Sequence, residues 1–249
     1  MSGDYILITG ASSGIGQEIA IQLSAEYKLI LCGLESETLI STRERCTNKS
    51  VHIIWEYNLS EIAGIRPSFE NILKKNNIHV GGFIHCAGMM VVTRMKIVNY
   101  QQALQIFNVN YFSAVEIISL LLKKNLNQGC LKNILFISSI LSKYGANGYN
   151  LYSSTKAALD GLMKSLSLEL APEIRVNSIL PGGVKTPMSS SAFEDPEILA
   201  KYNHDYPLGI GKTSDIANLA AFLLSDKSRW ITGQQIIIDG GRTANMSQK

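Results

Sequence analysis

The stretch YNLYSSTK, Tyr149 to Lys156, sets two phenols ahead of one ammonium. Tyr152 lies four positions before Lys156 and Tyr149 seven before it, so on a helix either phenol can share a face with the amine. A phenol beside an ammonium can give or take a proton, and the two spacings imply different reactions. A second candidate is TGASSGIG, Thr9 to Gly16, where Gly10, Gly14 and Gly16 follow an apolar run and open a helical pattern. Glycines there permit a tight turn and close backbone approach. The helix N-terminus beyond them turns free N–H groups and a partial positive charge toward a pyrophosphate. Three glycines alone are a weak sign; their position directly after the first strand gives them weight as a dinucleotide site.

These residues need a scaffold. YILITG (5–10) and KLILCG (28–33) are apolar runs stopped by glycine, separated by a helical stretch at 15–26. Further buried-strand patterns are VHIIWEYNL (51–59), VGGFIHCAG (80–88), NILFISSI (133–140), IRVNSILPG (174–182) and QQIIIDGG (234–241). Helical patterns separate most of them, with long ones at about 100–122 and about 152–170, the latter ended by Ala171-Pro172. Alternating strands and helices predict a parallel sheet covered on both faces: a doubly wound, Rossmann-like three-layer α/β/α fold. The two long helices carry more apolar surface than one core needs, which favours a subunit interface.

With 249 residues, 46% hydrophobic and 17% charged, the chain is expected to form one globular domain over 1–249. The longest apolar run, Val115 to Leu122, is interrupted by Glu116 and is shorter than the roughly 20 residues of a membrane span. No membrane association is therefore expected, and without a secretory pattern after MSGD the expected setting is cytoplasmic. Cys32, Cys46, Cys86 and Cys130 are scattered, which predicts reduced thiols rather than a metal site or disulfides. A net charge of +3 without a basic block argues against a nucleic-acid partner.

Four ordered motifs, TGASSGIG, the Ser139–Tyr152–Lys156 spacing, PGGVKTPM (181–188) and ITGQQIIIDGG (231–241), together resemble the short-chain dehydrogenase/reductase family over nearly the whole chain. The resemblance implies a sheet of about seven parallel strands, a nicotinamide dinucleotide, a small carbonyl or alcohol substrate, and a homotetramer or homodimer. It further implies that Tyr152 is the acid/base, that Ser139 orients the substrate oxygen, that Lys156 holds the ribose and lowers the tyrosine pKa, and that Asn110 supports a water relay. These roles are physically sound: a free phenol titrates near 10, and a nearby ammonium together with oxidised nicotinamide would stabilise the phenolate. Ser139 ends an apolar strand, at the edge where open α/β sheets bind ligands.

The expected cofactor contacts are Gly10, Ser12, Ser13, Gly14, Ile15, Gly16, Asn58, Leu59, Ala87, Gly88, Tyr152, Lys156, Pro181, Gly182, Val184 and Thr186. PGGV is expected to let the backbone pass close to the nicotinamide, and Thr186 to meet its carboxamide. The expected substrate contacts are Ser139, Tyr149 and Tyr152. Residues 188–211 form the candidate substrate loop, with Tyr202, His204 and Tyr206 joining Met89, Met90, Ile140 and Tyr144 as further candidates. His85, in an apolar strand, is expected to be a hydrogen-bonded core residue.

The sequence departs from the family pattern at three places. Cys86-Ala87-Gly88 stands where the family prefers Asn-Ala-Gly, so a strand-bridging hydrogen bond is expected to weaken. Asn58-Leu59 stands where Asp is usual, with the Asn58 carbonyl expected to accept from adenine. Gly33-Leu34-Glu35 ends the second strand without the Asp that binds the ribose of NAD or the Arg that attracts the phosphate of NADP. Room over Gly33 tips the expectation toward NADP over NAD. Hydride exchange between a ketone and a secondary alcohol through Tyr152 is the leading activity. The alternatives are reduction of a conjugated C=C bond through Tyr149, whose spacing to Lys156 resembles that of enoyl reductases, and a catalytically silent cofactor-binding relative.

Overall fold

The computed structural model describes residues 5–190, 194 and 196–244. All seven predicted strands form: β1 (Tyr5–Thr9), β2 (Lys28–Gly33), β3 (Ile53–Glu56), β4 (Val80–His85), β5 (Asn133–Ile137), β6 (Arg175–Pro181) and β7 (Gln235–Ile238). They make one parallel sheet in the order β3-β2-β1-β4-β5-β6-β7. The helices are α1 (Gly14–Leu23), α2 (Ser36–Glu44), α3 (Ile62–Asn76), α4 (Tyr100–Phe107), α5 (Ser113–Leu121), α6 (Lys124–Asn127), α7 (Asn150–Glu169), α8 (Pro196–Asp205) and α9 (Thr213–Leu224).

The central strands are buried at almost every position and mostly apolar, because helices cover both faces. On one face Leu7, Phe83, Ile134, Phe136 and Val176 pack against Phe69 of α3, Ile117 of α5, and Leu159 and Met163 of α7. On the other, Ile6, Ile8, Ile84, Leu135 and Ile179 pack against Ile19 of α1 and against Ile216 and Ala220 of α9. Each such side chain contributes about 1.5–3 kcal/mol on burial. Strand order reverses between β1 and β4, and the crevice outside the carboxyl ends of these strands is where a doubly wound sheet binds its ligand.

The helix expected at about 100–122 is divided. α4 passes into α5 through a π-turn, Asn108–Phe112, which turns Asn110 inward to complete burial. Tyr100–Leu121 spans 22 residues and contains an 18-residue window with a mean hydropathy of 1.3, so by length and composition alone it could cross a membrane, contrary to what the uninterrupted apolar run indicates. Its apolar face is nevertheless used within the fold: Ile106, Ala114, Ile117, Leu120 and Leu121 are buried.

Candidate active site

A cavity of about 820 Å³ opens along the carboxyl edge of the sheet. All sixteen expected cofactor contacts and the three first-named substrate contacts line it: Gly10, Ser12, Ser13, Gly14, Ile15, Gly16, Asn58, Leu59, Ala87, Gly88, Ser139, Tyr149, Tyr152, Lys156, Pro181, Gly182, Val184 and Thr186. Met89, Met90, Ile140, Tyr202 and Tyr206 also line it, whereas Asn110, Tyr144 and His204 do not. Within 188–211, residues 191–193 and 195 lie outside the described residues.

The glycine loop has the shape of a phosphate cradle. Gly10 adopts φ +69°, and a Cβ there would stand 2.8 Å from the Ala87 backbone; a Cβ on Gly16 would stand 2.2 Å from the Gly10 carbonyl oxygen. Ser13 caps α1 in extended conformation without closing its N-terminus by a side-chain hydrogen bond, so the first N–H groups face the cavity. These features fit a pyrophosphate.

Tyr152 lies in the first turn of α7, with the Lys156 Nζ 5.6 Å from its ring centre. Lys156 is buried and donates to the Ile137 carbonyl at 2.8 Å, which draws its amine to the end of β5. Burial pulls the lysine pKa down to about 8. The expected depression of the Tyr152 pKa is not present in the protein alone. Burial pushes the phenol up to about 12, and the Ser139 hydroxyl only partly opposes that rise. Ser139 follows β5 and accepts from the Leu141 N–H at 3.1 Å, which orients its Oγ and leaves its O–H to donate into the cavity.

Tyr149 is placed differently from what a helical spacing suggests. It is the N-cap residue of α7, outside the helical turns, and meets Tyr152 edge-on with ring centres 6.5 Å apart. Its phenol enters the cavity beside Tyr152 rather than stacking over the lysine.

Behind this surface lies a buried network. The Asn110 amide donates to the Met89 carbonyl at 3.0 Å and to Thr155 Oγ1 at 2.9 Å, and its Oδ1 accepts from the Met89 N–H at 2.8 Å. The side chain thus braces the loop after β4. Its main-chain carbonyl meets His85 Nε2 at 3.1 Å, while His85 Nδ1 meets Thr9 Oγ1 at 3.0 Å. Only an N–H can satisfy a carbonyl, so Nε2 carries the proton and Thr9 donates to Nδ1. Burial lowers the His85 pKa to about 3, which keeps the ring neutral. Thr9 Oγ1 also accepts from the Cys86 and Ala87 N–H groups, each at 3.2 Å. The strand bridge expected to weaken at Cys86 is thereby supplied by Thr9, the first residue of the glycine motif.

One further expectation, that the Asn58 carbonyl accepts from adenine, is corrected. Asn58 Oδ1 already accepts from the Ser60 N–H at 3.0 Å and from the Ser60 hydroxyl at 2.8 Å. Gly33 lines the cavity, but a Cβ on it would be crowded by Leu39 at 3.0 Å and Ser12 at 3.2 Å. Gly182 and Gly183 admit protein neighbours: their missing Cβ atoms face Asp239, Tyr206 and Tyr202, and the Gly183 N–H donates to the Tyr206 hydroxyl at 2.8 Å. Glu35 is exposed and caps α2, and Ser36 donates to Glu56 at the end of the neighbouring strand. Spacing gave no hint of Gln105 and Val109, which line the cavity from α4 and the π-turn.

Residues 10–243 match a family model described as Enoyl-(Acyl carrier protein) reductase. Among curated proteins, 3-oxoacyl-[acyl-carrier-protein] reductase FabG of Aquifex aeolicus is 33% identical, with 97% of this chain and 98% of the relative covered. Carbonyl reductase [NADPH] 2 of Sus scrofa is 28% identical, with 98% of each covered. A solved 4-hydroxyisoleucine dehydrogenase mutant complexed with NADH and succinate superposes with a TM-score of 0.89 at 26% identity, covering 98% of this chain and 100% of that one.

Proposed function

Because the chain belongs to the short-chain dehydrogenase/reductase family, we propose that it moves a hydride between NAD and a ketone or secondary alcohol, with Tyr152 as the acid/base. In coarser terms it is an NAD(P)-dependent oxidoreductase acting on carbonyl or alcohol groups. The observation that carries the finer reading is the convergence of Ser139, Tyr152 and Lys156 in one cavity, with the amine beneath the Tyr152 ring.

The nicotinamide, when bound, supplies or accepts the hydride. Ser139 donates its hydroxyl hydrogen to the substrate oxygen as negative charge grows there. Tyr152 gives that oxygen its proton. Lys156, charged, offsets the phenolate that remains. Asn110 and His85 hold the floor beneath them, with no free proton-carrying group of their own.

NAD is preferred here to NADP. Leu39 and Ser12 crowd the Cβ direction of Gly33, and Glu35 and Glu37 at the start of α2 and Glu56 at the end of β3 add negative charge to this region. A ribose phosphate would meet negative charge there. Met89, Met90, Val92, Val109, Ile140 and Leu141 give the cavity an apolar substrate end. This supports a ketone bearing an apolar chain over a sugar. Several relatives are named for acyl thioesters, and others for sugars.

A second reading, C=C reduction through Tyr149, is favoured by the description of the matching family model and by the presence of Tyr149 in the cavity. The deciding test offers NADH or NADPH with 3-oxoacyl thioesters, sugar ketones and enoyl thioesters. Loss of the reduced-nicotinamide absorbance with NADH and a 3-oxoacyl substrate is expected. Consumption with the enoyl substrate alone would favour the second reading, and cofactor binding without turnover of any substrate would indicate a binding protein.

A further inference from the structure

Asp160 sits on the buried face of α7, one turn beyond Lys156, and only 3% of its surface is exposed. Neither of its carboxylate oxygens has a hydrogen-bond partner. The Ser178 hydroxyl of β6 is likewise buried and unpartnered, on the sheet face that α7 covers, since its neighbour two residues back, Val176, packs with Leu159 and Met163. An ionised carboxylate without partners in such a place is costly unless a positive charge compensates it. The mechanism gives this acid no task.

We propose that Asp160 is the counter-charge of the Lys156 ammonium, a positioning residue that keeps the lysine protonated without touching substrate. The inference rests on the roles given above to Tyr152 and Lys156. Among the described residues, the groups acting on this amine are few. From the end of β4 come His85 and Cys86; α7 itself contributes Tyr152 and Asp160. The Ile137 carbonyl of β5, which accepts from the amine, and the Asn110 amide, which borders Gly88 as the amine does, do not titrate. His85 is neutral. Burial pushes the Cys86 thiol up to about 12 and the Tyr152 phenol likewise, so neither is an anion near neutral pH. That leaves Asp160 as the negative charge able to offset the desolvation that draws Lys156 down, and its charge acts on the lysine in that direction. On one helix face, residues four apart have Cβ atoms about 6 Å from each other, close enough for such an effect across a dry interior.

The test is the pH profile of ketone reduction for wild type, Asp160→Ala and Asp160→Glu, with Tyr152→Phe as reference. In wild type, turnover falls on the alkaline side as Lys156 loses its proton. Removing the negative charge lets the lysine deprotonate earlier, so in Asp160→Ala this limb is expected about one pH unit lower, with the loss greater at alkaline than at acid pH. Asp160→Glu, which keeps the charge, is expected to return the limb toward its wild-type position. Should the alanine variant fail to fold, Asp160→Asn preserves the shape of the side chain and is read in the same way. An alkaline limb that stays in place in the neutral variants overturns the inference. Turnover by Tyr152→Phe at the wild-type rate would instead overturn the catalytic assignment on which it rests.

Discussion

Tyr149 and Tyr152 meet edge-on with ring centres 6.5 Å apart, yet only Tyr152 has the Lys156 amine 5.6 Å from its ring centre. Both phenols face the same cavity, so position relative to the amine separates their roles. Tyr149→Phe is expected to raise KM for the substrate several-fold while kcat changes little. Steady-state kinetics on a ketone substrate checks this.

The glycine cradle predicts loss of cofactor binding. A methyl group on Gly10 would meet the Ala87 backbone at 2.8 Å in a left-handed conformation that alanine rarely adopts. Gly10→Ala is expected to weaken NADH binding by at least about tenfold, a loss of roughly 1.4 kcal/mol. Quenching of NADH fluorescence on titration measures it.

Cofactor preference follows from charge at the β2 end. Leu34 is 61% exposed and borders the cavity, so an arginine there has room to reach a ribose phosphate. Leu34→Arg is expected to tighten NADP binding by about tenfold relative to NAD. Equilibrium dissociation constants for both cofactors decide it.

The buried His85 links stability to acid. Its folded pKa, about 3, lies below the unfolded value near 6.5, so between these values the unfolded chain binds the extra proton and stability falls as pH falls. The full effect is on the order of 5 kcal/mol. His85→Gln, which can donate to the Asn110 carbonyl but does not titrate, is expected to flatten the acid limb of chemical denaturation while lowering stability near neutral pH.

Lys156 gives the complementary signature at high pH. Its folded pKa of about 8 lies below the ordinary 10.5, so stability contributed through this group rises with pH across that window. Cys86 acts in the opposite sense above its ordinary value, because the folded thiol keeps its proton. The difference between wild type and Lys156→Met isolates the lysine, and the stability of wild type relative to the variant is expected to increase from about pH 8 to about pH 10.5.

The sheet was legible because burial on both faces writes itself as apolar runs bounded by glycine, and all seven strands lie within the predicted segments. The glycine loop and the Ser139–Tyr152–Lys156 spacing were legible because local geometry, a turn and one helical repeat, places them. Contacts made across the fold were not. Thr9 replacing the missing amide beside Cys86, and Tyr202 and Tyr206 filling the space beside Gly182 and Gly183, depend on strands and loops far apart in sequence. Two local features were also missed, because no residue pattern announces them: the π-turn that rotates Asn110 into the core, and Ser60, which takes the Asn58 carbonyl from two residues on. Asp160 passed unnoticed, since a single acid in a helical pattern ordinarily marks the solvent face.

The proton-donor assignment is tested most directly by single-turnover NADH oxidation with a bound ketone in Tyr152→Phe. The rate is expected to fall by roughly 10²–10⁴-fold with NADH affinity unchanged. A Tyr152→Phe enzyme that reduces the ketone at the wild-type rate, while Tyr149→Phe loses it, would contradict the assignment.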